Sequence, residues 1–455
     1  MRSALQIVEL ILALAILIGV HEFGHFLFAK LFKTRVSKFY LFFDVRGIRL
    51  FSTKHNKLFL KLFPKAAEWE TDYGIGWLPF GGYCKIEGMI DESMDKSLIG
   101  RKPEPWELRA KRPWKRLLVM SGGVLMNFIL AVLLFIHILA IWGSNHLLNE
   151  KTALFSEEGM VSYEMGFRTG DRIIALDGQE PPEDFLDIQS YLSRHGVSRV
   201  TVLRGDADTL DLYLDRARVS DLISGTVLYP AMPFKIDLPQ DEPGLNADVL
   251  CPGDRIVALE DTPIRYFHEG RAWLQAHPDT LVTATLIREG ETLQLPLRTD
   301  SLGRIGVLQS MDMALPELEG YEHRDYSYLA SYPAGVSEAG EFLYGYILDL
   351  KLIFTPKTKA YKSVGSVVTM KEIMPPSWNW QHFLWILALL SVMLGVMNLL
   401  PIPGLDGGHI VFTLYEMLSG KKPSEKFMMA AQMVGMLLLV LLMLFALGND
   451  FKRFF

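Results

Sequence analysis

The chain has 455 residues, half of them hydrophobic and 22% charged, with a formal net charge of −6. That is too apolar for an ordinary soluble enzyme of this length and too polar for a bare bundle of membrane spans. The mild charge carries no nucleic-acid footprint, and two cysteines, Cys84 and Cys251, argue against a disulfide framework.

Four stretches, 4–28, 117–142, 383–400 and 427–447, are long and apolar enough to span a bilayer. The first lacks a basic start beyond Arg2 and has no small-residue cleavage site after its apolar core, so it reads as a retained span. Glu9, near its outer end, reads as an interfacial anchor. Between the first two spans lie 19 of the chain's 46 Lys and Arg, which makes that segment cytoplasmic. Lys421, Lys422 and Lys426 place the short third loop on the same side. The long segment 143–381 and both termini are then extracytoplasmic, with Trp142, Trp378 and Trp380 as interfacial anchors.

The first span ends in His21-Glu22-Phe23-Gly24-His25. This spacing puts two imidazoles one turn apart on one helix face, where they can bind one zinc while the Glu acts as general base. Ionisable groups within an apolar span are costly, so their default reading is functional. The residues after His25 lack the Gly and third His of a longer single-helix motif, so a third ligand must come from far along the chain. The third span ends in Asn398-Leu399-Leu400-Pro401-Ile402-Pro403-Gly404-Leu405-Asp406-Gly407-Gly408. Irregular backbone at membrane depth is tolerated only where it is buried in protein or lines a wet cavity. Asp406 at this break can complete a three-ligand site with one open position, and Asn398 can donate to a substrate carbonyl. A plain Pro/Gly turn capped by Asp is the competing reading.

Residues 74–83, Gly-Ile-Gly-Trp-Leu-Pro-Phe-Gly-Gly-Tyr, are rich in Gly and large apolar groups. Through Gly74, Gly76, Gly81 and Gly82 this segment can pair with an extended peptide by strand addition; the alternative is an amphipathic interface hairpin. Phe42, Phe43, Phe51 and Phe59 read as a hairpin face dipping into lipid. Further on, Gly170-Asp171-Arg172-Ile173-Ile174-Ala175-Leu176-Asp177-Gly178 is repeated as Gly253-Asp254-Arg255-Ile256-Val257-Ala258-Leu259-Glu260-Asp261. Each copy precedes a helical stretch (184–195, 267–276) and then a strand (200–204, 281–288). A helix-period pattern of Val336, Ala339, Leu343, Tyr346, Leu350 and Ile353 is too polar to span and reads as an amphipathic helix on the outer leaflet or against the repeats.

HExxH in a first span, with NxxPxPxLDGG closing a later one, resembles the site-2 protease family of intramembrane zinc metalloproteases. The Gly-Asp-x-Ile repeats resemble tandem PDZ domains. The resemblance implies a polytopic α-helical membrane protein with four transmembrane helices, a membrane-associated β-hairpin region and two extracytoplasmic PDZ domains. The segments are then 1–30, 31–116, 117–142, 150–225 (first PDZ), 226–310 (second PDZ), 311–380, 381–402, 403–426 and 427–447. It implies His21, His25 and Asp406 as ligands of one zinc, Glu22 as catalytic acid/base, and Asn398 as a substrate contact. Asn127-Phe128 in the second span resembles another family motif and adds Asn127 to the substrate contacts, although Val124 stands where many members have Pro. The run 88–95 resembles a Bacteroidota branch. The activity implied is peptide-bond hydrolysis in single-pass membrane proteins at the bacterial inner membrane, such as anti-sigma factors or remnant signal peptides. The PDZ pair would capture peptide termini or act as a size filter, and the absence of a Gly-Leu-Gly-Phe loop favours the filter. A metal-ion transporter would need more polar residues in the spans than Ser121, Asn127 and Gln432, together with a repeat of spans. An inactive PDZ scaffold would lack Glu22 or a ligand, and all four groups are present.

Overall fold

The computed structural model describes residues 2–79, 81–89, 101–205, 208–215, 219–225, 227–238, 244–309, 315–318, 320–375 and 377–454. Most of the unusual 88–95 run therefore lies outside the described residues. The chain divides into two units, the first formed by Met1–Gly143, Asp325–Lys351 and Ser363–Phe455. Its main helices, in chain order, are α1 (Arg2–Leu31), α2 (Pro113–Trp142), α3 (Tyr328–Ile353), α4 (Val367–Glu372), α5 (Trp380–Leu399), α6 (Asp406–Ser419) and α7 (Glu425–Phe454). Of these, α1, α2, α5 and α7 are long and apolar enough to cross a membrane.

Helix α2 is the hub, with α1, α5 and α6 all packed on it. Between helices in lipid the hydrophobic effect gives little drive, so small residues that permit close backbone contact decide the packing. Here a Cβ on Gly24 of α1 would lie 2.1 Å from the Gly122 carbonyl oxygen of α2. Leu10, Ala13 and Leu17 of α1 pack with Phe383, Ile386 and Leu387 of α5. Glu9, read as an anchor, is instead fully buried, because α4 and α5 pack over that part of α1. Neither of its oxygens has a hydrogen-bond partner among the described residues.

The amphipathic helix has a different partner from either one expected. Phe342, Leu343, Tyr346 and Leu350 of α3 pack on Ala131 of α2 and Val392 and Val396 of α5. Gly335 permits this approach, since a Cβ there would lie 2.6 Å from the Ile136 nitrogen. The short α4 is strapped at both ends. Asp450 of α7 accepts hydrogen bonds from the backbone N–H and hydroxyl of Ser366 and of Thr369. Gln6 of α1 donates to the Met374 carbonyl at 2.8 Å.

The expected hairpin is a four-stranded mixed sheet. Strands β1 (Val36–Leu41), β2 (Arg49–Ser52), β3 (Asp72–Gly76) and β4 (Tyr83–Ile86) take the order β2-β3-β1-β4. β1 runs parallel to β3 and antiparallel to β4, so the two arms of the presumed hairpin never pair with each other. Tyr40 explains the insertion. It is fully buried on β1, donates its hydroxyl to Asp72 on β3, and stacks on Tyr83 of β4 at 5.5 Å. Burial raises the Asp72 carboxyl, but donors from Ser52, Tyr40, Lys54 and Thr53 outweigh it and hold the group below its usual value. Of the aromatics expected to dip into lipid, Phe43 stacks on Tyr83 and Phe51 meets Phe59 edge-on.

The second unit, Ser144–Arg324 with Leu352–Lys362, contains the sequence repeat. In the first copy, strands Arg172–Leu176, Arg199–Arg204 and Asp208–Tyr213 form one sheet, with helix Phe185–His195 between the first two in sequence. In the second, strands Arg255–Leu259, Leu281–Arg288 and Glu291–Arg298 do the same around helix Phe267–Gln275, with Thr262–Pro263 added at the edge. Each copy buries an apolar cluster of its own. Each also ties its opening turn to the next long strand with a two-pronged ion pair: Asp171 with Arg204, both contacts at 2.8 Å, and Asp254 with Arg288, both at 2.7 Å. Both aspartates are almost fully buried. Removing one leaves an arginine partly buried and unpaired. Asp254→Ala should destabilise the second copy by about 2 kcal/mol, after discounting for the partial exposure of Arg288. Hydrogen exchange of the intact protein should then quicken in Leu281–Arg288 and stay unchanged in Arg199–Arg204.

Candidate metal centre

Helical periodicity places His21 and His25 on the face of α1 that meets α2. Their exposures are 8% and 6%, and their rings meet edge-on at 4.9 Å. The third group arrives from the break after α5. Leu400 to Leu405 leave the helix, and Gly404 adopts φ 108°, a conformation costly for any other residue. A Cβ on Gly407 would lie 2.0 Å from the Leu400 carbonyl oxygen, so the turn closes tightly only with glycine there. Asp406 then opens α6, where the helix N-terminus favours a carboxylate.

The three donor atoms form an equilateral triangle. His21 Nε2 and His25 Nε2 each lie 3.2 Å from Asp406 Oδ2, and 3.2 Å from each other. Two zinc–ligand bonds of about 2.0 Å at the tetrahedral angle subtend roughly 3.3 Å, so the triangle fits one face of a zinc tetrahedron. Asp406 Oδ2 is buried and receives no hydrogen bond among the described residues, an arrangement that a bound cation relieves.

The atoms behind the ligands fit the same assignment. His25 Nδ1 donates to the Val119 carbonyl of α2 at 2.8 Å, which leaves Nε2 free to bind. The Asn127 amide nitrogen Nδ2 lies 3.2 Å from His21 Nδ1, and its Oδ1 has no partner among the described residues. When Nε2 binds a metal, Nδ1 carries the proton, and the Asn127 amide turned over by 180° presents its oxygen to accept that hydrogen bond. Ser391 of α5 donates to the Asn127 carbonyl at 2.8 Å and fixes that turn of α2. Gly123 packs against both rings, since a Cβ there would lie 2.6 Å from His21 Cε1 and from His25 Nε2.

The triangle opens into a cavity of about 830 Å³ walled by α1, α4, α5, α6, α7 and β4. Glu22, Gly81, Gly82 and Asn398 line it together with the three candidate ligands. Cys84 of β4 lines the same cavity as Glu22. Other expected contacts sit elsewhere. Asn127 is fully buried behind His21 and does not line the cavity. Gly74 and Gly76 lie inside the sheet, where a Cβ would strike the Tyr40 ring at 2.4 Å and the Phe43 carbonyl oxygen at 2.2 Å. Cys84 and Gln432 line the cavity as well, beyond the residues the motifs single out. Gln432 had a visible signal, as the lone polar side chain of the apolar run 427–447.

Residues 9–442 match the profile of peptidase family M50. The chain belongs to this family. It is 27% identical to the regulator of sigma-E protease RseP of Escherichia coli K12, over 98% of both chains. It is also 27% identical to the regulator of sigma E protease of Salmonella typhimurium LT2, over 97% of both. A protein of Neisseria meningitidis serogroup A, named as a zinc metalloprotease, is 26% identical over 97% of this chain and 98% of its own. This M50 chain is a zinc metalloendopeptidase of the site-2 protease type.

Two substitutions separate ring support from cavity lining. Asn127→Ala should weaken zinc affinity about 10- to 100-fold, as loss of a group that orients a histidine ligand does. Asn398→Ala should leave zinc affinity unchanged. Competition with a chromophoric chelator measures both. Gly123→Ala should also lose metal, with helix content by circular dichroism retained.

Proposed function

We propose that this protease holds one zinc per chain on His21, His25 and Asp406 and cuts single-pass membrane proteins within or near the bilayer. The observation that carries the reading is Glu22 in the same cavity as the three-ligand triangle, adjacent in sequence to one ligand. A zinc ion bound there supplies Lewis acidity to water and to the scissile carbonyl. Glu22 accepts a proton from the attacking water at its carboxylate and returns it to the leaving nitrogen. Asn398, with no hydrogen-bond partner among the described residues, is free to donate to the carbonyl oxygen.

A folded substrate helix hides its carbonyls, so the substrate must present an extended stretch. β4 is an edge strand and borders the cavity, which supports strand addition there. Gly81 and Gly82 at its start keep side chains out of the approach. The repeats of the second unit act as PDZ domains, filtering substrates with bulky folded ectodomains rather than gripping peptide termini. The basic segment between α1 and α2 faces the cytoplasm, and the second unit faces the opposite side of the inner membrane. The relatives' names point to a membrane-anchored stress regulator as the class of natural substrate.

The test is cleavage of a membrane-spanning peptide by purified protein in detergent, beside Glu22→Gln, with bound metal quantified in each. Wild type should cut and the variant should lose at least about 10³-fold, with both holding one zinc. A chelator should abolish cutting, and added zinc should restore it. Protein that cuts without tightly bound metal, or Glu22→Gln cutting at the wild-type rate, sinks the reading.

A further inference from the structure

An extended peptide has two hydrogen-bonding edges. If β4 pairs with one, the other faces the remaining walls of the cavity. Where water is scarce, each backbone group left without a partner costs several kcal/mol, so that wall must supply donors and acceptors. Most polar side chains around the cavity are already engaged. Lys38, Asp44 and Tyr83 bond to one another, and His21, His25 and Asp406 form the metal triangle.

Two side-chain amides line the cavity, Asn398 on α5 and Gln432 on α7. Gln432 is the less expected. Helix α7 is the most outward-facing of the four candidate spans, with 17% of its apolar window buried, yet this one amide is 2% exposed. A polar side chain in a helix–helix interface ordinarily finds a partner across it. Gln432 has none among the described residues, and neither of its amide atoms is among those sealed away without a partner, so the amide opens to the cavity. Its position is set by the loop that carries Asp406. The Pro403 carbonyl packs on Gly435, and Gly404 packs on Met436, one turn from Gln432. A primary amide offers one acceptor and two donors, which matches the C=O and N–H on one edge of an extended strand.

We propose that Gln432 is a substrate-binding residue whose side-chain amide hydrogen-bonds the edge of the extended substrate that β4 leaves open. This rests on the proteolytic reading above and adds the second half of substrate recognition to it. The role is in binding and positioning, and no proton of the reaction passes through Gln432.

The test uses the full chain in detergent with a membrane-spanning peptide and a set of its analogues. Each analogue carries an ester in place of one amide near the scissile bond, removing one N–H. Wild type, Glu22→Gln, Gln432→Met and Gln432→Ala are compared. Both Gln432 variants should retain zinc and lose about 10- to 100-fold in kcat/KM. One ester should slow wild type about 10-fold and leave the Gln432 variants no slower than with the parent peptide. A structural role would lower activity without erasing that position-specific sensitivity. Gln432→Met keeps the volume and Gln432→Ala only trims it, so whichever retains zinc carries the comparison. Wild-type kcat/KM in that variant, or an unchanged ester profile, overturns the proposal while the protease reading stands. Equal inactivity of wild type and Glu22→Gln overturns both.

Discussion

The contact between α1 and α2 at Gly24, Gly122 and Gly123 is the constraint on which the rest depends. Two imidazoles on a lipid-embedded helix need their far nitrogens held, and a side chain long enough to reach from a distant helix would be mobile. Here the α2 backbone itself comes close enough for the Val119 carbonyl to accept a hydrogen bond from His25 Nδ1–H. Asn127, two turns further along the same helix, meets His21. A single methyl group at any of the three glycines would push the helices apart. The site is precise because packing, with no flexible linker, sets the positions of the ligands.

The same hub brings in the third donor. α5 and α6 both rest on α2, and the glycine-dense turn between them delivers Asp406 to the imidazoles. The walls then differ in kind. α1 and α6 carry the candidate metal ligands, and β4 is an edge strand. α5 and α7 contribute isolated amides in otherwise apolar surroundings. The donor triangle therefore sits on elements separate from the isolated amides, so a change at either amide need not disturb it.

What the sequence revealed tracks how local the information is. HExxH and the PxPxLDGG break are short motifs whose meaning follows from helical spacing and backbone geometry. The four apolar spans follow from length and hydropathy alone, and the repeat in the second unit is visible as self-similarity. The sheet order is not legible because β1 lies more than 30 residues before its partner β3 in sequence, and no turn signal announces that parallel pairing. Nothing local to Asn127 tells whether its amide meets a substrate or a histidine. The answer lies in α1, more than 100 residues away. Likewise, the partner of α3 was hidden because a surface able to pack on apolar side chains fits a bilayer, a soluble domain or other helices equally well.

The donor triangle also has a direction in time. Its two histidines are made first, and Asp406 follows about 380 residues later. At roughly 5–20 residues per second, the incomplete chain exists for some 20–75 s with its first span made and the third donor still unbuilt. Throughout that interval the nascent protein lacks a complete metal face amid the unfolded membrane segments of its neighbours. A hydrolase whose motif lay wholly within its first span would have no such delay. Separating the donors by about 380 residues makes synthesis through Asp406 a precondition for a complete donor triangle.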